Sequence, residues 1–403
     1  MYRLTPKEEI GTRIRILQER LSADGVDAAF LVQNADLFYF TGSIQQGVLC
    51  VPASGEPVYF VRRVYERALE EAALEHIVRI GSPREIPAHF EKKKVSFGTV
   101  GFELDVMPVS TFQRFSQLFP VSTPVDVSLS IREIRAVKGP SEVEAMRVCG
   151  GKLAGLLSRA HGEIRPGVTE TELGGILQGR AISAGHTTIT RMRSWNQEVG
   201  LGCVISGADA AIPSYPDFPT AGKGSGPFVP VGQGHRPFRE NEPILVDLMW
   251  AQDGYLVDMA RTYVIGEMPE KLVRAYDLAV KVMRNIESAT RPGAVAGDLY
   301  EIGLEMASHS PFAANFMGAP GYNVKFIGHG VGIEADELPF IAKGSGTILA
   351  PGMTFALEPK FVFPSQGAVG LENTYLVTES GFEKLTLLGE GIIFCDAQGK
   401  EGR

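Results

Sequence analysis

The chain has 403 residues and a mass of 43.6 kDa, which is enough for two ordinary domains rather than one small one. Hydrophobic residues make up 44% and charged residues 21% of the sequence, a composition that supports buried cores and excludes global disorder. The formal net charge of −8 at pH 7 disfavours nonspecific binding to nucleic acid or to anionic membranes. We therefore expect neither of them as a partner.

Cysteine usage and the amino-terminal residues indicate a reducing compartment. The four cysteines are widely scattered and form no CxxC pair, which argues against a disulfide framework or a thiolate zinc site. The amino terminus, MYRLTPKEEI, is polar and lacks the apolar core of a signal peptide. No apolar run approaches the roughly 18 residues that a membrane helix needs. The sequence thus predicts a soluble, cytoplasmic protein.

The first third of the chain alternates helix and strand patterns, as an α/β domain does. Apolar periodicity predicts helices over 6–24, 64–75 and 112–119, strands over 27–33, 76–80 and 100–105, and a hairpin over 46–63. The segment 119–130 carries two prolines and several small polar residues, which favours a domain boundary there. The prediction is an amino-terminal domain of residues 1–128 and a second domain of residues 129–403.

An internal repeat organises the second domain. IRPGVTETELGGIL (164–177) and TRPGAVAGDLYEIG (290–303) share Arg-Pro-Gly and a later Leu at an offset of 126 residues. Each copy lies between two helical patterns, the first opened by a Ser141–Glu144 capping box, and each precedes a glycine-flanked apolar segment. Arg-Pro-Gly that merely ends helices is the alternative. The shared spacing and flanks favour duplication and predict a pseudo-two-fold α+β domain with its site between the halves.

Two aspartates belong to a hairpin predicted over 244–266. Its turn is Asp253-Gly254, a pair typical of type I′. Paired residue numbers then sum to 507, which puts Asp247 and Asp258 on one face, diagonally related at about 7–8 Å. Apolar neighbours should bury this face, and two buried carboxylates need a neutralising cation. The alternative is one solvated aspartate and one paired with Arg261.

Two glutamates form a second pair of the same kind. Glu358 and Glu372 lie in strand-like segments, and a three-residue loop at 364–366 places them directly opposite each other. A four-residue loop would put them on opposite faces of the sheet. His329, in FIGHGVG, adds an imidazole between glycines that allow close backbone approach. A lone histidine is more often structural, but this one lies in the duplicated pattern.

Four carboxylates and one imidazole form a hard, oxygen-rich ligand set. Such a set suits Mn²⁺, Co²⁺, Fe²⁺ or Zn²⁺, and two divalent ions about 3.5–4 Å apart fit between these side chains. A dinuclear site activates a bridging water as hydroxide and polarises a carbonyl, as amide hydrolysis requires.

These residues resemble the ligand pattern of metallopeptidase family M24, whose members have the pita-bread fold, and the resemblance covers nearly the whole chain. Asp247 and Asp258 are eleven residues apart, and the other ligands lie in GHGVG, LEP and GLEN. The resemblance implies an α/β amino-terminal domain of the creatinase/prolidase branch and an α+β pseudo-two-fold pita-bread catalytic domain. It also implies that Asp247 holds one ion, that Asp258 and Glu372 bridge, and that His329 and Glu358 hold the other. Glu358 would be the catalytic residue that handles protons, and manganese is the first metal expected.

Two positions around the substrate depart from the family pattern. Ser214 in AAIPSY and Asp336 in IEADE stand where prolidase-like members carry histidines, and we expect both to contact substrate. Neither can supply an imidazole. His235, in GQGHRPF, is a candidate catalytic replacement, and a surface position is its alternative.

The leading hypothesis is a dinuclear metallohydrolase that cleaves the amino-terminal residue from short peptides, first of all Xaa-Pro. The alternative is the same site acting as a hydrolase or lyase on a non-peptide small molecule, because Asp336 suits a cationic substrate. A binding module without chemistry comes third, since such proteins typically lose metal ligands and all five are present here. A homodimer is expected by analogy with relatives.

Overall fold

The computed structural model describes residues 3–396, which form two compact units. The first consists of the chain up to Ser141 together with Arg193–Trp195, and the second consists of the rest, from Glu142 onward. Among the helices of residues 3–396, none combines the length and the apolar character that crossing a membrane requires.

A six-stranded sheet forms the centre of the first unit. Its strands are β1 (Ala28–Leu31), β2 (Gly47–Pro52), β3 (Val58–Val61), β4 (Ile77–Arg79), β5 (Thr99–Phe102) and β6 (Thr123–Asp126). Its helices are α1 (Lys7–Ala23), α2 (Asn34–Thr41), α3 (Tyr65–Glu71), α4 (Ile86–Lys92), α5 (Val109–Ser116) and α6 (Ser128–Ala136), with a 3₁₀ turn at Pro83–Glu85. The strand order is β4-β3-β2-β1-β5-β6, in which β2 runs antiparallel to both of its neighbours.

The predicted helices and strands of this unit are all present, and the main difference lies at 119–130. Part of that segment forms β6, which pairs with β5 in parallel. Pro124 is tolerated because β6 lies at the edge of the sheet, where a missing backbone donor leaves no ladder bond unmade. The first unit therefore continues through α6 to Ser141, beyond the boundary predicted at 128.

The second unit contains the two copies of the repeat. Its helices are α7 (Pro140–Ala160), α8 (Glu170–Ser183), α9 (Gly207–Ala210), α10 (Glu270–Ala289) and α11 (Ala296–Ser308), with a 3₁₀ turn at Ala313–Asn315. Its strands are β7 (Gly202–Ser206), β8 (Pro243–Gln252), β9 (Tyr255–Ile265), β10 (Phe326–Gly330), β11 (Glu337–Ala342), β12 (Thr354–Leu357), β13 (Lys360–Phe363), β14 (Gly367–Gly370), β15 (Asn373–Val377), β16 (Phe382–Lys384) and β17 (Ile393–Cys395).

The two halves of the second unit have matching layouts, which confirms the predicted pseudo-two-fold arrangement. In the first half, α7 and α8 precede a sheet of order β17-β9-β8-β7, and in the second half, α10 and α11 precede a sheet of order β11-β10-β12-β15-β16. In each sheet the first strand after the helix pair, β7 or β10, runs antiparallel to the strand beside it. A large apolar core packs α10 and α11 against the second sheet and holds it in place.

The first helix of the repeat begins where the sequence predicts, but its predicted cap is wrong. Because α7 starts at Pro140, Ser141 lies within the first turn, where its backbone N–H and its hydroxyl both donate to the Glu9 carboxylate. A capping box opens α8 instead, where Thr169 and Glu172 bond to each other's backbone N–H groups.

Candidate metal centre

Asp247 and Asp258 lie on the hairpin formed by β8 and β9. Paired residue numbers sum to 507 along the whole ladder, with Asp247 opposite Ala260, so the predicted register is confirmed. The turn residues Asp253 and Gly254 have φ angles of 53° and 92°, the positive values that a type I′ turn requires. Since β9 is buried at every position, the Asp258 carboxylate is shielded from solvent.

Glu358 and Glu372 face each other across a gap between two short ladders. The β12–β15 and β13–β14 ladders share one register, in which paired residue numbers sum to 730, and the loop between β13 and β14 has the predicted three residues. The backbone of each glutamate turns to a different strand, with Glu358 N–H donating to Ile327 O at 2.9 Å and Glu372 N–H to Ala260 O at 3.1 Å. These bonds bring β9 and β10 next to the two glutamates.

His329 lies on β10, beside the two glutamates. Its neighbours Gly328 and Gly330 are required there, because a Cβ on either would lie 2.3 Å from a carbonyl oxygen of the adjacent strand. The close approach of these strands puts His329 Nε2 at 3.7 Å from Glu372 Oε1 and 3.8 Å from Glu358 Oε1. The imidazole thus faces one oxygen of each glutamate.

A lysine that the sequence analysis missed lies inside the carboxylate cluster. Lys360, the first residue of β13, is 1% exposed. Its Nζ donates to Asp247 Oδ2 at 2.6 Å, to Glu358 Oε2 at 2.7 Å and to Glu372 Oε2 at 2.9 Å, which uses all three donors of an ammonium group. The signal was present in the sequence, because residues 358 and 360 have the same strand parity and therefore share a face.

Burial raises the pKa values of the acids, and Lys360 opposes this effect selectively. Burial, together with the charges of Glu372 and Asp247, raises the pKa of Asp258 well above its ordinary value. Burial also raises the pKa of Glu358 to about 7, against the pull of Lys360. Glu372 differs, because the charge of Lys360 and the nearby imidazole of His329 outweigh burial and hold the pKa of Glu372 at about 2.

Three of the predicted ligands are close enough to hold one cation. Asp258, His329 and Glu372 each offer a ligand atom within 4.8 Å of the others. Glu372 Oε1 is buried and has no hydrogen-bond partner within residues 3–396, a costly situation unless a cation neutralises it. Carboxylate oxygen and imidazole nitrogen together suit Mn²⁺, Co²⁺, Fe²⁺ or Zn²⁺. The residues present therefore fit a divalent ion.

Arg261 supports the centre and does not pair with either aspartate. Its Nη1 donates to Glu372 O and its Nη2 to Asn373 Oδ1, both at 2.8 Å, and its remaining N–H groups go to other backbone carbonyls. All five donors are then used, so the alternative of an Arg261–aspartate pair is wrong. Asp258 Oδ1 instead accepts from Met259 N–H at 2.8 Å.

The three residues predicted around the substrate have different surroundings. Ser214 is half-buried and donates its hydroxyl to Pro230 O, His235 is exposed, and Asp336 is 7% exposed just before β11. Within residues 3–396, neither Ser214 nor His235 bonds to the predicted ligands. Their roles stay predictions.

Comparison with known proteins assigns both parts of the chain to one family. The model of metallopeptidase family M24 matches residues 144–379, and the model of the creatinase/prolidase N-terminal domain matches residues 13–137. The chain belongs to metallopeptidase family M24. Membership confirms the predicted creatinase/prolidase branch and the pita-bread fold, and it implies a divalent metal ion.

Individual relatives of this M24 protein align over nearly the full chain. A probable dipeptidase PepE from Mycobacterium bovis is 26% identical over 390 residues, covering 93% of both chains. A Xaa-Pro dipeptidase from Pyrococcus furiosus is 24% identical over 376 residues, covering 93% of this chain and 97% of that one. The solved Xaa-Pro dipeptidase from Bacillus anthracis has a TM-score of 0.81 at 20% identity, covering 96% and 99%. The predicted class, a metallopeptidase-type enzyme, is confirmed.

Proposed function

We propose that this M24 protein is a metal-dependent dipeptidase that removes the amino-terminal residue from short peptides, with Xaa-Pro dipeptides as its first substrate class. The observation that carries the proposal is the set formed by the buried Asp258 and Glu372 and the half-buried His329, whose ligand atoms lie within 4.8 Å of one another. Relatives named as a dipeptidase and as a Xaa-Pro dipeptidase, each aligned over 93% of the chain, support the same reaction.

The residues of the centre divide the work of amide hydrolysis among them. A divalent ion, when bound, supplies Lewis acidity toward a carbonyl and toward water. The Asp258 and Glu372 carboxylates provide the negative charge that holds a cation in a buried place, and His329 adds nitrogen through Nε2. We assign proton transfer to Glu358, because its Oε1 lies on the His329 side of the cluster, 3.8 Å from Nε2, within reach of a reacting group there.

Peptide hydrolysis by the purified protein tests the proposal. Protein purified without chelator should release proline from Xaa-Pro dipeptides when Mn²⁺ or Co²⁺ is added, lose this activity with chelator, and regain it when the ion is restored. Equal rates on dipeptides without proline would refute the Xaa-Pro preference. No cleavage of any dipeptide by metal-loaded protein would refute the peptidase. Manganese, a cytoplasmic location and a homodimer stay predictions.

A second candidate is a hydrolase or lyase that acts on a cationic small molecule. Two observations favour it. Asp336 is a buried acid at a position where the family pattern has a histidine, and a buried carboxylate favours a cationic partner. The Ser214 hydroxyl donates to Pro230 O and is therefore not an imidazole-like donor for a peptide. Turnover of guanidino, amidine or sulfonium compounds by metal-loaded protein that leaves dipeptides intact would establish this candidate over the first.

A further inference from the structure

We infer that Lys360 occupies the place of one cation in this centre, so that the protein binds one divalent ion per chain, through Asp258, His329 and Glu372, rather than two. The inference concerns the centre of the proposed function and rests on it only for the presence of a metal. It replaces the two ions predicted from the sequence, because that prediction counted four carboxylates and an imidazole without a fixed positive charge among them.

The Lys360 ammonium is fully committed to the oxygens that a second ion would need. Its three donors meet one oxygen each of Asp247, Glu358 and Glu372 at 2.6–2.9 Å. A divalent ion binds carboxylate oxygens at about 2.0–2.2 Å, so an ion on these oxygens would compete with the ammonium for the same lone pairs. Asp247 is affected most, because the resemblance to family M24 implies that it holds an ion of its own, whereas here its Oδ2 accepts from Lys360.

The backbone around Lys360 holds its side chain in the centre. Lys360 pairs with Gly370 in the β13–β14 ladder, and a Cβ at Gly370 would lie 2.8 Å from both Cα and Cγ of Lys360. The missing side chain at position 370 therefore leaves the space that the lysine stem fills. On the other side, Met317 N–H donates to Lys360 O at 2.9 Å, which anchors the strand at this residue.

Net charge also favours a single divalent ion. Four carboxylates, one ammonium and one divalent ion leave a single negative charge around a neutral imidazole. A second divalent ion would make the buried cluster positive, and uncompensated charge of either sign is costly away from water.

The carboxylate oxygens that Lys360 does not bind indicate one location for the single divalent ion. Lys360 binds Oε2 of both glutamates, whereas Oε1 of each faces His329 Nε2, at 3.7 Å for Glu372 and 3.8 Å for Glu358. Glu372 Oε1 is the buried oxygen without a hydrogen-bond partner in residues 3–396, and Glu372 is 1% exposed. The lone pairs that remain for a cation are thus on the side of His329 and Asp258.

Counting bound ions tests the inference. The wild type, Lys360→Met and the matched exposed control Lys281→Met would each be dialysed to equilibrium against Mn²⁺, and metal per chain measured by mass spectrometry. We expect about one ion in the wild type and in Lys281→Met, and about two in Lys360→Met, with circular dichroism confirming the fold. Lys360→Gln, which is also neutral, replaces the methionine variant if that variant does not fold.

Several results would overturn the inference. Two ions or none in the wild type would contradict the stated stoichiometry, and one ion in a folded, neutral variant at position 360 would show that the ammonium does not exclude the second. The ions are counted without substrate, so a failure to cleave dipeptides would refute the proposed function and leave this count intact.

Discussion

Two buried clusters of charge, one in each unit, differ in how their charges balance. In the first unit, the Asp36 carboxylate accepts from Arg135 at 2.7 Å and from Arg193 at 2.9 Å, and Arg193 makes two further bonds to Asp105 at 2.6 and 2.8 Å. Burial and the neighbouring charge of Asp36 raise the pKa of Glu103 well above its ordinary value, which favours its neutral form. Two guanidinium groups and two aspartates then compensate one another.

The centre of the second unit lacks this balance. Four carboxylates face one lysine, and burial raises the pKa values of Asp247, Asp258 and Glu358, as expected where positive charge is insufficient. Buried acids whose charges are balanced by arginines form a network that is costly to break, whereas buried acids that remain short of positive charge favour an added cation. The cluster of the first unit, which we call the closed cluster, is therefore a structural network. The cluster of the second unit, which we call the open cluster, is a candidate ligand site.

The largest effect should come from removing a carboxylate of the open cluster. Asp258→Ala deletes one of the three groups proposed to hold the ion, so we expect loss of bound metal and a fall in hydrolytic rate of at least about 100-fold, the upper range found for outer-shell partners of metals. Metal analysis and kinetics measure both, and circular dichroism should show the first unit still folded. Asp277→Ala, an exposed aspartate on α10, is the control. A metal-loaded, active Asp258→Ala protein would refute the ligand assignment.

Breaking the closed cluster should instead reduce stability and leave the metal content unchanged. Asp36→Ala removes the shared partner of Arg135 and Arg193, both of which are buried, and an uncompensated buried charge costs about 3–5 kcal/mol in the free energy of unfolding. Urea denaturation measures the change, with the exposed Asp24→Ala as control. A variant as stable as the wild type would mean that the arginines find other acceptors and that the cluster is not closed by Asp36.

Acid should weaken the closed cluster through Asp36 itself. Burial opposes ionisation of Asp36, but Arg135 and Arg193 lower its pKa from 3.8 to about 2. A depressed carboxyl pKa contributes stability that is present above about pH 4 and is lost as the pH falls toward 2, here on the order of 2 kcal/mol. Asp36→Asn cannot titrate, so the stability advantage of the wild type over this variant should shrink between pH 5 and pH 2.5 in denaturant titrations. An advantage that stays constant over this range would contradict the pKa shift.

Local register explains why the sequence could predict the acids of the centre. A two-residue turn fixes the face of Asp247 and Asp258, and a three-residue loop sets Glu358 opposite Glu372, since a slip of one residue would reverse every side chain. Both sums, 507 and 730, hold in the folded ladders. The repeat offset of 126 similarly anticipated two matching helix pairs, because it records spacing along the chain.

Register and spacing within one segment cannot predict contacts between residues that are far apart in the sequence. Lys360 shares a face with Glu358 by parity alone, but its bond to Asp247 spans 113 residues and appears only when β8 and β13 come together. Arg193 bonds to Asp36 across 157 residues, and nothing near either position in the sequence predicts this pairing. The lysine inside the open cluster and the whole of the closed cluster were missed for the same reason.

The smallest effect should come from an ion pair that neither cluster contains. Arg147 and Glu383 form a bidentate pair at 2.8 and 2.7 Å, with the same hydrogen-bond geometry as Arg193 and Asp105, but their side chains are 45% and 36% exposed. Water already solvates both charges, so a double-mutant cycle of the two alanine variants should give a coupling of only about 0.2–1 kcal/mol.

Salt provides the control for that exposed pair. At 1 M ionic strength the Debye length falls to about 3 Å, so the coupling between Arg147 and Glu383 should diminish, whereas the cost of Asp36→Ala should persist because its partners are shielded from solvent. A coupling above about 2 kcal/mol, unchanged by salt, would mean that bidentate geometry rather than burial determines the contribution of such pairs. The closed cluster would then owe its stability to hydrogen-bond geometry, and burial would no longer distinguish it from the surface.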